Sequence, residues 1–201
     1  PENVRALEAL FNAYRRLDRS SLPHSVVPLS PGEQWTLPNG MLVRPFRSPH
    51  RVPCQGYGLW SAKKKLKPEY QGMAGSEIRD LRLSGVEVAA EVLTPELAFT
   101  GDSMIEVFER EEVVRKARLL IMELTFVDDR VSVADCRAKG HIHIDEVVER
   151  ADLFENEAIL FTHFSARYRA REIREVLQKR LPTHLFERVT ALTGGHEPPA
   201  G

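Results

Sequence analysis

Only two of the 201 residues are cysteine, Cys54 and Cys136, and no CxxC spacing joins them. That argues against a disulfide-stapled scaffold and a cysteine-built metal site, and predicts two buried or half-buried thiols of an intracellular protein. No run of about 18 apolar residues occurs, so no transmembrane helix and no membrane partner are expected. Neither sign of charge is in surplus: 28 Lys and Arg face 29 Asp and Glu, for a net charge of −1. No global basic field advertises nucleic acid, and any such partner must be held by a local patch. Internal repeats and low-complexity tracts are missing too. What remains, 42% hydrophobic and 28% charged, is a globular composition long enough for one ordinary core.

The chain begins at Pro1, which reads as a truncation, and enters a helical pattern at once. Val4, Leu7, Leu10, Phe11, Tyr14 and Leu17 recur at helical spacing, giving an apolar face that should lie on a sheet. A Pro/Ser-rich loop follows over 20–32, with a short strand expected around Val26. Residues 35–37 and 41–46 read as a hairpin turned by Asn39-Gly40, and 55–60 as a further strand. Over 61–95 the character changes to an excursion, with crowded lysines, Gly72, Gly75 and Gly85, and a short helix near 76–83. Strands at 97–100, 118–126, 158–162 and 188–192 then alternate with helices at 111–116, 145–154 and 169–181. That alternation predicts a layered α/β fold, α+β in some schemes.

Three strands end in the same way. One runs into His50, one into Gly101-Asp102 and one into His163. Ligands gather at the carboxyl ends of strands in layered α/β folds, and two imidazoles with a carboxylate are donors that zinc prefers. Singly, a strand-end histidine is usually structural and a Gly-Asp is usually a turn. Their joint occurrence carries the signal.

These segments also carry a resemblance. Thr100-Gly101-Asp102-Ser103 resembles the TGDT motif of the tRNase Z family, Met122-Glu123-Leu124-Thr125-Phe126 its HEATF segment, and Gly140-His141 its GHST segment. Thr162-His163-Phe164-Ser165-Ala166-Arg167-Tyr168 is similar to THFSxRY, and His50 leading to Gly56-Tyr57 is similar to the family's strand-end histidine. The order is the family's, and the run from Tyr70 to Gly75 most resembles the short plant-type form. The resemblance implies an incomplete metallo-β-lactamase αββα sandwich and a two-zinc endoribonuclease. It would remove the 3′ trailer of precursor tRNA by metal-hydroxide attack, leaving a 3′-hydroxyl. His50 would bind one zinc, Asp102 would bridge, and His163 would bind the second. His141, oriented by Glu123, would be the general acid or charge stabiliser for the leaving oxygen. The excursion at about 61–95 would be the tRNA-binding arm, with Lys63, Lys64, Lys65 and Lys67 on phosphates, and Arg167 near the scissile phosphate. The family suggests a homodimer, and a plant-like form suggests the cytoplasm, a plastid or a mitochondrion.

There are departures. The family's HxHxDH segment, expected before His50, is not found there; His141-Ile142-His143-Ile144-Asp145-Glu146 nearly matches it but stands in the GHST position. On this reading 1–201 is a partial domain that binds zinc weakly, is nearly inactive alone, and exposes a sheet edge. The alternatives are another phosphodiesterase or arylsulfatase of the same fold, and a catalytically dead half that binds tRNA or a partner.

Overall fold

The computed structural model describes residues 3–193. Asn39-Gly40 turns a hairpin between β1 (Trp35–Thr36) and β2 (Leu42–Ser48), with Gly40 at φ +82 where a side chain would strain the backbone. Antiparallel pairing continues through β3 (Cys54–Leu66) and β4 (Ala89–Phe99). From there the sheet is parallel, through β5 (Leu119–Glu123), β6 (Ala158–Thr162) and β7 (Val189–Ala191). Among the described residues, strand order follows chain order across the seven strands.

This topology decides where the chemistry falls. The carboxyl ends of β4, β5 and β6 share one rim because the three are parallel neighbours. Strand β2 is antiparallel to β3, and β3 to β4, so β2 ends at that rim as well. The loops after β2, β4 and β6, and the last residue of β5, are therefore brought together by strand direction alone.

Helices supply the parallel crossovers: α3 (Glu106–Arg110) and α4 (Glu112–Lys116) before β5, α5 (Val133–Lys139) and α6 (Ile144–Val148) before β6, and α7 (Ala170–Arg180) and α8 (Thr183–Phe186) before β7. Ile105, Phe108, Leu120, Met122, Leu124 and Phe161 are fully buried in the core that results. Both cysteines are free thiols, Cys136 buried and Cys54 half-buried, as their isolation in the sequence predicts.

Several elements differ from expectation. No strand forms near Val26, where Pro23, Pro28 and Pro31 remove the backbone donors a ladder needs. The helix expected over 145–154 divides into α6 and a 3₁₀ turn at Ala151–Leu153. The excursion is not loop: β3 and β4 run on past the sheet, pairing with each other from Ser61↔Thr94 to Leu66↔Ala89. Its tip carries α2 (Gly75–Leu83). The first helix, α1 (Val4–Asp18), forms as expected, but its apolar face is left largely uncovered: none of its residues is buried and Leu17 is 85% exposed. Among the described residues, no helix is long and apolar enough to cross a membrane.

Candidate metal centre

The rim loops are tied before any ligand is considered. The Ser48 hydroxyl donates to the Thr100 carbonyl, and the Met104 amide donates to the Pro49 carbonyl at 2.6 Å, which fastens the His50 loop to the Gly-Asp loop. At the end of β6, His163 takes φ +59, a left-handed conformation rare outside glycine. The loop beyond it is pinned by Tyr168, whose hydroxyl donates to Asp128 at 3.2 Å while Arg130 stacks 4.4 Å from its ring centroid.

Three imidazoles stand in a row at this rim. His50 and His141 have ring centroids 5.2 Å apart, and His141 and His163 are 5.1 Å apart. Asp102 closes the row, its Oδ1 3.5 Å from His163 Nε2. The structure thus brings together His50, Asp102, Glu123, His141 and His163. It does not bring the lysines there; Lys63, Lys64 and Lys65 sit exposed on the ribbon and Lys67 is half-buried beyond it. Arg167 is exposed, and its side chain makes no hydrogen bond or ion pair among the described residues.

Glu123 is the hub. A buried carboxylate is costly unless hydrogen-bonded, and Glu123, 1% exposed, is bonded on both oxygens. Oε1 accepts from the Ser103 amide at 2.6 Å and lies 3.0 Å from His141 Nδ1. Oε2 accepts from the Thr125 hydroxyl at 2.6 Å and the Ile142 amide at 3.2 Å. The hydrogen bond to Glu123 raises the pKa of His141 above the ordinary imidazole value, against the opposing effect of burial.

Thr125 extends this control to His163. Its one proton is donated to Glu123, so its oxygen must accept from His163 Nδ1, 3.0 Å away. The His163 ring then carries its proton on Nδ1 and turns an Nε2 lone pair toward Asp102. That is the tautomer a metal requires. Residue-type reasoning marked Thr125 only as part of a motif and missed this role.

The donors can be tested for fit against a metal. Glu123, His141 and His163 each bring one donor atom within 4.8 Å of the others. Glu123 is a poor ligand even so, because both its oxygens are already taken by protein donors. Asp102 and His163 fit well. His50 has a buried Nε2 with no hydrogen-bond partner, the kind of orphaned atom a cation would satisfy. The Val52 amide donates to its Nδ1 at 3.2 Å, however, so the neutral ring holds its proton on Nε2 and must move it to Nδ1, releasing the Val52 amide, before Nε2 can ligate.

Gly140 is a second residue missed by motif reading. It caps α5 at φ +88, and a Cβ there would lie 3.0 Å from His50 Cδ2 and Nε2. Only glycine lets the His141 segment approach the His50 ring this closely. His143, two residues on, belongs to the fold: its amide and ring cap α6, and Nε2 donates to the Asp128 carbonyl at 3.1 Å. Both its ring nitrogens are thereby spent on the fold.

No protein-family model matches the chain. Over 191 residues it is 47% identical to tRNase Z TRZ1 of Arabidopsis thaliana, an alignment covering 94% of this chain and 68% of that protein. It is 38% identical over 191 residues to tRNase Z TRZ2, chloroplastic, of the same plant, covering 94% of this chain and 54% of that one. The chain therefore spans between about half and two thirds of these curated relatives. Among solved structures, the metallo-β-lactamase fold protein YhfI from Bacillus subtilis matches with a TM-score of 0.52 at 14% identity, covering 92% of this chain and 60% of that one. That likeness extends to the fold alone, and it agrees with the layered α/β reading.

Proposed function

This chain belongs to the tRNase Z family, and from that premise we propose that it is the substrate-handling part of an endoribonuclease that removes the 3′ trailer from precursor tRNA. Family and fold together imply use of a metal. Zinc suits the donors at the rim: His163 and Asp102 would ligate it directly, and His50 after shifting its ring proton from Nε2 to Nδ1; two ions per site would need more ligands than these three supply. Zinc when bound supplies Lewis acidity, bringing the pKa of a coordinated water down from near 16 to about 7.

The remaining work falls to this chain's own residues. Cleavage expels the 3′-oxygen of the tRNA, which needs a proton, and His141 is the donor. The raised pKa keeps the donor form populated at higher pH than a free imidazole would. Glu123 holds the ring through Nδ1 and leaves Nε2 to face the substrate. The trailer departs with the 5′-phosphate. The observation that carries this reading is the saturated Glu123 carboxylate, gripping His141 directly and His163 through Thr125 at one sheet rim.

The ribbon of β3 and β4 supports the reading of an RNA-binding arm, and strand alternation refines it. Lys63 and Lys65 share one face, opposite Val92 and Ala90, while Lys64 is on the other face across from Glu91. Glu96 lies close enough for Lys63 to influence its titration, but it is already held by Ser61 and Arg118. Lys63 and Lys65 therefore present the less compensated charge to phosphates.

The test is single-turnover cleavage of a 3′-extended precursor tRNA with zinc added, read with RNA affinity. Cleavage after the discriminator base, lost in His141→Ala with affinity unchanged, supports the reading. Salt-insensitive binding with no cleavage at any zinc concentration would refute it.

A further inference from the structure

A cavity of about 580 Å³ shares the His50 ring with the metal centre. Arg47, at the end of β2, Arg51, in the following loop, and Arg110, the last residue of α3, all line it. No carboxylate does, and the rest of the wall is largely apolar, including Pro49, Pro53 and Met104. Several other arginines are neutralised by carboxylates. Arg118 is held by Glu96 and Glu157, Arg130 by Asp128 and Glu172, and Arg137 by Glu106 and Glu146. Among the described residues, none of the three cavity arginines forms an ion pair. Glu111 feels the charge of Arg110 but lines a different cavity.

Three like charges drawn from two segments, 47–51 and the end of α3, do not gather for stability, because they repel. With apolar walls behind them they focus a positive potential into the cavity, and a guanidinium fork matches a phosphate in two hydrogen bonds at once. The cavity is also near the chemistry: the charge of Arg51 reaches His141, and the Arg51 amide packs against Gly140. We propose that this cavity is a second phosphate subsite, in which Arg47, Arg51 and Arg110 take a backbone phosphate adjoining the one cleaved at His141 and His163. The subsite rests on the nuclease reading and deepens it: a strand gripped at two neighbouring phosphates is fixed in register across the metal centre.

The experiment measures binding of a 3′-extended RNA hairpin by fluorescence anisotropy over a range of salt, for the full chain and for Arg47→Ala/Arg51→Ala/Arg110→Ala. Loss of one phosphate contact on a single strand lowers the slope of log affinity against log salt by about 0.7. Affinity should fall by roughly tenfold or more, the scale of a charge-assisted contact. The triple lysine variant keeps the charge and should keep the slope, which separates charge from folding. Methylphosphonates placed singly along the RNA then locate the contact. One position near the cleavage site should weaken the wild type and leave the alanine variant unaffected, since both changes remove the same interaction.

Unchanged slope and affinity in the alanine variant, or methylphosphonate penalties that simply add to its own, would overturn the subsite while leaving the nuclease reading intact. Titration with inorganic phosphate, followed through the arginine Nε–H resonances, is the other arm. Shifts at Arg47, Arg51 and Arg110 with no RNA binding at all would overturn both the RNA assignment and the nuclease reading, leaving a small-anion site.

Discussion

Replacing Thr125 by valine removes one hydroxyl and almost no volume, and it cuts the link between Glu123 and His163. Two consequences follow. Glu123, nearly buried, loses one of the donors that compensate its charge, and a hydrogen bond to a charged group is worth about 1.5–3 kcal/mol. For a chain of this size that is a Tm lower by roughly 3–12 °C. His163, whose side chain is 46% exposed, keeps access to water but loses the acceptor that fixes its proton on Nδ1. Removing such an outer partner of a metal-binding histidine typically weakens metal affinity about 10–100-fold. The assay is a zinc titration paired with ¹⁵N spectra of the histidine rings in the metal-free chain. Valine should turn a single His163 tautomer into a mixture and weaken zinc binding, while Thr125→Ser restores both. A valine variant that keeps the Nδ1-protonated ring and binds zinc within about twofold of wild type would refute the relay.

Gly140→Ala should cost about 1–2 kcal/mol from its φ of +88 alone, and more because the new Cβ meets the His50 ring; chemical denaturation measures the loss. On the ribbon, Lys63→Ala with Lys65→Ala should flatten the salt dependence of RNA binding more than Lys64→Ala, which faces Glu91; equal effects in anisotropy titrations would contradict the face assignment. The pKa of His141 is raised in the folded chain, so its contribution to stability is full below the unfolded value near 6.5 and disappears as pH climbs through the folded value. The stability gap between wild type and His141→Gln, followed by urea unfolding, should therefore be widest near pH 6 and narrow toward pH 9.

Strand ends were the most legible part of this chain. His50, Asp102 and His163 each follow a strand, and strand direction alone (β4 and β6 in the parallel part, β2 through two antiparallel pairings) brings those ends to one rim. The excursion at 61–95 was legible, but the strands that build it were not, because both faces of the ribbon meet solvent and Lys63–Lys65 show no apolar alternation. Helix α5 was missed although its signals are present: Ser132 caps it through the Asp135 amide and Gly140 stops it. Periodicity identified the apolar face of α1, but the sheet expected beneath it was not written in the pattern, since a face has no address in a linear sequence. Thr125 lay inside a recognised segment, yet its role depends on which of two neighbours receives its proton. That is a question of three-dimensional pairing, which spacing does not encode.

The left-handed backbone at His163 complicates the obvious way of silencing it. Alanine there deletes the ring and still has to adopt a left-handed conformation that histidine enters more readily than alanine does, so a crippled variant would confound lost chemistry with a distorted turn. Asparagine, which accepts that conformation more readily, makes the cleaner knockout, and any shortfall of the alanine protein relative to it gauges the local backbone tension.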